Sequence, residues 1–421
     1  MSGDALPPMI DGTIIDQMHR YHPEAIKQYG EEGGVDVKLI ISKISEMRYR
    51  IVTDKPLLDV TSDAPDADMW NMHLHVFRNQ RGESNVTWFK LPWLFTECFM
   101  YAKLCEFFQS SKHLKNFDYF GTEKQRSYVE GMVHMLAIST ELNANFDKEL
   151  TIEDTRRILL KLLQVSLWGN KCDLSLSGGD QHSMSATIFQ ELDKLHSNIL
   201  EDNLVETCDK FLLNPPTFGE KRVDIILDNA GLEVFTDICL ADFMISKKIA
   251  DKVVFHGKAF PWYVSDTTAS DFNWVIQQLV DSEDTQLKTT GNRWRAYQNE
   301  KRFEFQAHPF WTQCFPYCDM RERAPELYDE LRAAYLLIFK GDLNYRKLVS
   351  DRYWPYTTSF KRALCGFAPT SLLSLRTLKA ETVAGLSRRA VDRVEAKFGV
   401  GNKQWMVTGD YAVAQLSINS K

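Results

Sequence analysis

VDIILDNAGLEVFTDICLADFMIS, residues 223–246, gives the clearest indication of the fold. Its first five residues are largely apolar, a turn sequence of Asp, Asn, Ala and Gly follows, and apolar residues then recur at helical spacing. This order predicts a buried parallel strand, a sharp turn and a helix. Ligands of open α/β sheets bind beyond the carboxyl ends of the strands, so Asp228 and Asn229 are candidates for a site. Because these residue types are also common turn formers, a purely structural turn is the alternative.

The alternation of strand and helix continues toward the C-terminus. Further strands are predicted at residues 253–256, 335–339 and 371–375, with helical patterns between them. The strand at residues 371–375 is predicted to be the final strand of the chain. Such alternation is typical of a mostly parallel, Rossmann-like sheet covered by helices on both faces. Residues 284–309 have poor periodicity and many polar side chains, so we expect a mobile insertion or lid there. The predicted fold class is α/β, an α/β/α sandwich.

The first part of the chain has a different pattern. Apolar residues recur at helical spacing, most densely at residues 88–108, where a core helix is predicted after Pro92. The sequence Ser177-Gly178-Gly179 indicates a loop near the change of pattern. We therefore predict a helical N-terminal domain at residues 1–170 and an α/β domain at residues 171–421.

Composition restricts the class of partner. A chain of 421 residues with a net charge of −7 lacks the basic footprint of a nucleic-acid or anionic-membrane binder. No uninterrupted run of ~18 apolar residues is present, so we expect no membrane span. The eight dispersed cysteines suit reduced thiols better than a disulfide framework. These features predict a cytoplasmic protein, with the nucleus as a second compartment, whose partners are small molecules or proteins.

Polar clusters follow four predicted strand ends: Asp228 with Asn229, Asp266, residues 340–347 and residues 376–379. If the strands are parallel, the clusters converge on one edge of the sheet. Two carboxylates and an amide oxygen suit a hard cation such as Mg²⁺ or Mn²⁺. The cationic side chains suit a phosphate, and they are Lys340, Arg346, Arg376 and Lys379. A metal beside an anion site is what metal-assisted phosphoryl transfer to water requires.

Each candidate has a structural alternative. Asp266 could cap the helix predicted from Thr268, and Arg376 with Lys379 could form a solvated face. Glu233 lies in the first turn of a predicted helix, where the helix dipole favours a carboxylate in any case. Other phosphate and nucleotide chemistries lack support, because neither a GxxxxGK[ST] loop nor a GxGxxG fingerprint is present.

Five longer segments carry a resemblance to a known family: LWGNKCDLSL, LDNAGLEVFTDICLADF, VFHGKAFPWYVSD, KGDLNYRKLVSDRYWP and LRTLKAETVAGL. They resemble the signature segments of the metal-dependent damage-control phosphatases. The Arg-Thr-x-Lys element at residues 376–379 resembles the mark of the subfamily that acts on sugar phosphates. WNMHLHVF and FKLPWLFTECFMY extend the resemblance over nearly the whole chain.

The resemblance implies a catalytic and metal site formed by Asp228, Asn229 and Asp266, with Glu233 beside the metal. The implied cation is Mn²⁺, Co²⁺ or Ni²⁺, with Mg²⁺ also used. The implied substrate contacts are Asp342, Leu343, Asn344, Tyr345, Arg346 and Lys379. The implied reaction is hydrolysis of small phosphate esters, including fructose 1-phosphate and fructose 6-phosphate.

Relatives have also been described as S-adenosylmethionine-dependent methyltransferases that act on protein carboxylates. We rank this alternative second, because the usual glycine-rich adenosylmethionine loop is missing from the sequence.

Overall fold

The computed structural model describes residues 13–61, 64–169, 192 and 194–419. The chain divides into two compact units. The first comprises Met1–Glu123, Phe260–Ser265 and Thr312–Cys314, and the second comprises Lys124–Ala259, Asp266–Trp311 and Phe315–Lys421. The predicted division at residue 170 stays a prediction, and the Ser177-Gly178-Gly179 loop lies outside the described residues.

The first unit is helical where it is described. Its helices are α1 (Thr13–Tyr29), α2 (Glu31–Val52), α3 (Ala67–Arg81) and α4 (Trp93–Gln109). Helix α4 begins directly after Pro92, as predicted, and most of its side chains are buried. The Trp70 ring of α3 contacts Phe95 and Phe99 of α4 edge-on, with ring centroids 5.5 and 5.7 Å apart. These aromatic contacts give the helical unit its core.

The second unit contains the sheet. The remaining described α-helices are α5 (Gly121–Phe146), α6 (Ile152–Trp168), α7 (Leu204–Thr207), α8 (Leu232–Ser246), α9 (Ala269–Val280), α10 (Thr285–Asn299), α11 (Met320–Arg323), α12 (Pro325–Leu331), α13 (Gly341–Leu348), α14 (Phe360–Ala363) and α15 (Arg388–Phe398). The strands are β1 (Ile199–Asp202), β2 (Arg222–Ile226), β3 (Lys252–Gly257), β4 (Phe303–Ala307), β5 (Leu336–Lys340), β6 (Leu372–Thr377) and β7 (Ala412–Ser417). None of the described helices combines the length and apolarity needed to cross a membrane.

The seven strands form one sheet in the order β1-β7-β6-β5-β2-β3-β4. Strands β2 to β6 are mutually parallel, whereas β7 runs antiparallel to β6 and β1 runs parallel to β7. The prediction of a mostly parallel α/β sheet is confirmed. Strand β2 has β3 on one side and β5 on the other, so the direction of winding reverses between β2 and β5. In open α/β sheets, this switch point is where ligands bind.

Both faces of the sheet are covered. On one face, Val223, Ile225 and Ile338 join a large hydrophobic cluster with Phe235 and Ile238 of α8. On the other face, Phe339 of β5 packs on the rings of Tyr317 and Phe367, at centroid distances of 5.6 and 5.9 Å. Because side chains alternate along a strand, a residue's position in β5 decides which of these layers it contacts.

Two predictions about the C-terminal half are wrong. Residues 284–309 are not the expected insertion or lid, because they contain helix α10 and strand β4, which pairs with β3. Gly291 lies so close to α9 that an added Cβ would meet the backbone N of Val280 at 2.6 Å. The strand predicted at residues 371–375 is not the last one either, because β7 follows it and pairs with β6.

Candidate active site

The first candidate residue, Asp228, lies at the switch point, just after β2. Its carbonyl oxygen accepts a hydrogen bond from the Thr267 backbone N at 2.8 Å. A Cβ added to Gly341, directly after β5, would lie 1.8 Å from the Asp228 Oδ2. Gly341 also has a φ of +83°, a conformation that glycine adopts without strain. The lack of a side chain at Gly341 therefore lets the Asp228 carboxylate lie against the β5–α13 turn.

Asp266 is brought to the same place by the backbone. An isolated antiparallel bridge joins Asn229 to Asp266. The Asp266 side chain is buried, and Lys258 Nζ lies 3.0 Å from its Oδ2. Burial raises the pKa of Asp266, and the positive charge of Lys258 opposes that rise.

The proposal that Asp266 merely caps a helix is not supported. The cap of α9 is Thr268, whose side chain accepts from the Asp271 backbone N while the Asp271 carboxylate accepts from the Thr268 backbone N. This reciprocal capping box satisfies the start of the helix without Asp266. The Asp266 side chain is thus available for another role.

Asn229 links two carboxylates through its amide nitrogen. Nδ2 donates to Asp228 Oδ2 at 3.0 Å and to Glu233 Oε2 at 2.7 Å. Since both amide hydrogens point at carboxylates, the side-chain orientation of Asn229 is defined. Of its side-chain atoms, the carbonyl oxygen is the one whose chemistry suits a cation.

Asp228, Glu233 and Asp266 form what we call the acidic cluster. The pKa of Asp228 is raised well above its ordinary value, first by burial among protein atoms and then by the negative charges of Glu233 and Asp266. Within the described ranges, no three His, Cys, Asp or Glu side chains are arranged to hold a metal. The predicted ligands are instead two carboxylates, Asp228 and Asp266, with the amide oxygen of Asn229. This all-oxygen donor set, in a cluster whose carboxylate repulsion is only partly offset by lysines, fits a hard divalent cation.

The four predicted anion-binding cations have different surroundings. Lys340 is buried, and its ammonium group contacts Ser166, Glu233 and Asp237. Arg346 pairs with Asp351 at 2.7 Å, and this pairing opposes the rise that burial causes in the pKa of Asp351.

Arg376 and Lys379 lie at the end of β6. The Arg376 guanidinium is fully buried, and its Nε donates to Asp342 Oδ1 at 2.7 Å. It also donates to the backbone oxygens of Ala380 and Thr382, which fixes the loop that carries Lys379. The Lys379 backbone N donates to the same Asp342 oxygen at 3.1 Å, while its side chain is exposed. The loop of Lys379 is thus bonded to Asp342, which follows the glycine that lies against Asp228, and the Lys379 charge opposes the rise in the pKa of Asp228.

The predicted substrate-binding segment is mostly inside the protein. Leu343, Asn344 and Tyr345 are buried. The Asn344 side chain donates to the backbone oxygens of Leu227 and Lys340 at 3.1 and 2.8 Å. These bonds tie the end of β2 to the start of α13. The assignment of Asp342, Leu343, Asn344, Tyr345, Arg346, Lys340, Arg376 and Lys379 as substrate contacts stays a prediction.

Sequence reasoning missed two charged residues of the site, Lys258 and Asp237. Lys258 comes directly after β3, so the rule of polar residues at strand ends could have found it. Asp237 lies four residues after Glu233 in a mostly apolar helix, and a buried charge in such a helix is unusual.

A mostly parallel sheet with an acidic cluster and a lysine at its switch point defines an α/β enzyme that binds its ligand at the carboxyl edge of the sheet. The chain belongs to the damage-control phosphatase ARMT1-like family, whose domain model matches residues 4–394. It is 40% identical over 417 residues to the mouse protein named damage-control phosphatase ARMT1, covering 97% of this chain and 93% of that protein. The zebrafish protein of the same name is 40% identical over 424 residues, covering 98% and 93%.

The human protein of that name is 39% identical over 419 residues, covering 97% of this chain and 93% of its own length. A crystal structure of a duf89 family protein from Pyrococcus horikoshii aligns with a TM-score of 0.42 at 14% identity, covering 90% of this chain and 97% of that chain. By family, the chain is a metabolite phosphatase, a hydrolase of phosphate esters.

Proposed function

We propose that this protein hydrolyses sugar phosphates, such as fructose 1-phosphate and fructose 6-phosphate, with a divalent cation at the acidic cluster. At the switch point, carboxylates that repel one another lie near an exposed lysine, Lys379. This observation carries the proposal. A cation and a phosphate group would together compensate these charges.

Asp228, Asn229 and Asp266 would hold the cation. Mn²⁺, Co²⁺ and Ni²⁺ are the first choices, and Mg²⁺ suits the same oxygen donors. When bound, such a cation polarises phosphoryl oxygens and lowers the pKa of coordinated water. Lys258, which lies against Asp266, would limit the charge of the site when the cation is absent.

The chain's own groups would bind and orient the phosphate. Helix α13 begins at Gly341, beside Asp228, and the amino end of a helix favours an anion. Lys379 would neutralise charge on the transferring phosphoryl group. Its position depends on Arg376, which binds the backbone of the following residues and Asp342. The second carboxylate oxygen of Asp342 would accept a hydrogen bond from a sugar hydroxyl.

The methyltransferase alternative has no comparable support. The sheet carries carboxylates at its switch point, and these repel rather than attract a substrate carboxylate. The relatives are named phosphatases. We expect the protein to work in the cytoplasm and the nucleus, where small phosphorylated metabolites are its partners.

The test is a phosphate-release screen of sugar phosphates with Mn²⁺, Co²⁺, Ni²⁺ or Mg²⁺. We expect turnover that a chelator abolishes and that a divalent cation restores. Parallel incubation with methyl-labelled S-adenosylmethionine and a carboxylate-rich protein should leave no label. Labelled protein without phosphate release would replace the proposed function by the alternative.

A further inference from the structure

A buried lysine lies directly behind the acidic cluster. Lys340, the last residue of β5, is 1% exposed and shares a sheet face with Ile338, which packs against α8. Its Nζ lies 2.7 Å from the Ser166 backbone oxygen, 2.7 Å from Asp237 Oδ1 and 3.1 Å from Glu233 Oε1. An ammonium group has three hydrogens, and here three acceptors occupy them. We call Lys340 with Ser166, Glu233 and Asp237 the lysine tripod.

The tripod compensates two carboxylates of one helix. Glu233 and Asp237 are one turn apart on α8, where like charges repel. The carboxylates raise the pKa of Lys340 to about 12 against the opposing effect of burial, so the ammonium stays charged. Ser166 adds a hydroxyl that donates to Asp237 Oδ1 at 2.6 Å. Moving Lys340 toward a phosphate would leave both carboxylates buried without a cation, which is costly.

The tripod is connected to the acidic cluster through one carboxylate. Glu233 accepts from Lys340 at Oε1 and from Asn229 Nδ2 at Oε2. The lysine therefore holds the carboxylate that in turn orients the Asn229 amide. With the nitrogen bonded to Glu233 and Asp228, the Asn229 carbonyl oxygen lies on the other side of the amide group.

We propose that Lys340 and Asp237 are positioning residues, which act through Glu233 to keep the amide oxygen of Asn229 directed at a divalent cation. Lys340 thus determines the affinity for the cation and does not contact the phosphate. This inference rests on the proposed function for the identity of the site. It differs from the direct substrate contact that the sequence predicts for Lys340.

The tripod leaves one of its own polar atoms unsatisfied. Asp237 Oδ2 is buried and has no hydrogen-bond partner in the described part of the chain. Buried ion pairs can often be replaced by well-packed apolar residues without loss of stability. A purely structural tripod would thus be replaceable, whereas a positioning tripod would not be.

The experiment compares Mn²⁺ binding by calorimetry, in the absence of any phosphate ester, for the full chain and its variants. The main variants are Lys340→Met, the conservative Lys340→Arg, and the double variant Lys340→Met with Asp237→Leu. The double variant removes both charges together and serves if the single variant does not fold. The matched control is Lys247→Met, because the Lys247 ammonium also has three acceptors, the backbone oxygens of Asn145, Phe146 and Lys148, but is at the other end of α8.

Loss of an outer-shell partner weakens metal binding by ~10–100-fold, and we expect that loss for Lys340→Met and for the double variant. Lys340→Arg should recover part of the affinity, and Lys247→Met should leave it unchanged. At saturating Mn²⁺, the KM for the phosphate ester should stay near that of the unaltered chain.

Unchanged Mn²⁺ affinity in the double variant would overturn the inference, as would a raised KM with normal Mn²⁺ affinity, which would indicate direct substrate contact. Absence of Mn²⁺ binding by the unaltered chain would overturn it too. If Mn²⁺ binding depends on Lys340 but no phosphate ester is hydrolysed, the inference stands and the proposed function fails.

Discussion

Two carboxylates on strand β2 and the turn after it have opposite surroundings. Asp224, inside β2, is fully buried and accepts from Arg222 at both oxygens, at 2.7 and 2.8 Å. The ring of His256 lies 2.8 Å from the same carboxylate. Four residues later, burial and the carboxylates of Glu233 and Asp266 raise the pKa of Asp228, and the charges of Lys258 and Lys379 offset this rise only in part. The first carboxylate is compensated by the protein itself, whereas the second is left for a ligand to compensate.

The difference indicates how to distinguish a structural charge from a functional one. A buried carboxylate with its cations in place contributes to a folded sheet. A carboxylate grouped with others at a switch point costs folding energy, and such a cost is typical of functional sites. The same substitution at the two positions should therefore have opposite effects on stability and activity.

The largest effect on stability is expected for Asp224→Asn. The variant removes the charge of the carboxylate that binds the buried Arg222 at both oxygens, and the free energy of unfolding should fall by ~3–5 kcal/mol. Urea denaturation of the cation-free protein measures this change. A loss below ~1 kcal/mol would mean that Glu330, at 3.3 Å from Arg222, compensates the arginine instead.

Asp228→Asn should show the reverse pattern. The substitution removes a negative charge and so relieves repulsion in the acidic cluster. The cation-free variant should therefore be at least as stable as the unaltered chain. Phosphate release should fall by ~10²–10³-fold, the usual cost of losing one preorganised polar contact. Activity is compared at equal folded concentration, checked by circular dichroism. Retained turnover would exclude Asp228 from the site.

Gly341→Ala tests the close contact between the two loops. Gly341 and Gly366 both have positive φ values, +83° and +92°, but only an added Cβ at Gly341 would meet Asp228. Both variants should lose ~1–2 kcal/mol of stability from backbone strain. Gly341→Ala should lose a further ~1–3 kcal/mol from overpacking, together with cation binding. Equal effects in thermal unfolding and in Mn²⁺ titration would show that the contact is unimportant.

The smallest effect on stability is expected for a buried histidine. His134 of α5 is buried, and in the described ranges its ring nitrogens have no hydrogen-bond partner. Burial lowers its pKa below the ordinary 6.5, so the unfolded chain takes up a proton first as the pH falls. Stability should therefore be lost as the pH falls below about 6.5. His134→Phe should reduce this pH dependence in urea denaturation between pH 7 and pH 5, and an unchanged slope would exclude His134 as its source.

Local sequence patterns were sufficient to predict the part of the fold around β2. The strand, the turn with Asp228 and Asn229, and helix α8 follow from neighbouring residues, and the convergence with Asp266 follows from the parallel sheet. The order of the strands could not be predicted, because the pairing of β2 with β5 joins residues far apart in the chain. The switch point was therefore invisible in the sequence.

Buried polar residues explain the remaining differences. Helix α10 buries Leu287, Thr290, Gly291 and Trp294 at helical spacing, but Thr and Gly conceal that spacing in a search for apolar residues. Lys340 resembles a ligand-binding lysine at a strand end because its partners Glu233 and Asp237 belong to another segment. In both cases, tertiary contacts decide what the local pattern leaves open.

The bridge between Asn229 and Asp266 has a consequence for the order of events in folding. The acidic cluster combines residues that follow two different parallel strands, and the glycine against Asp228 follows a third. Non-local parallel pairing is slow compared with helix formation. Uptake of a cation by a refolding chain should therefore lag behind the recovery of helical circular dichroism, and would report the moment at which the sheet is complete.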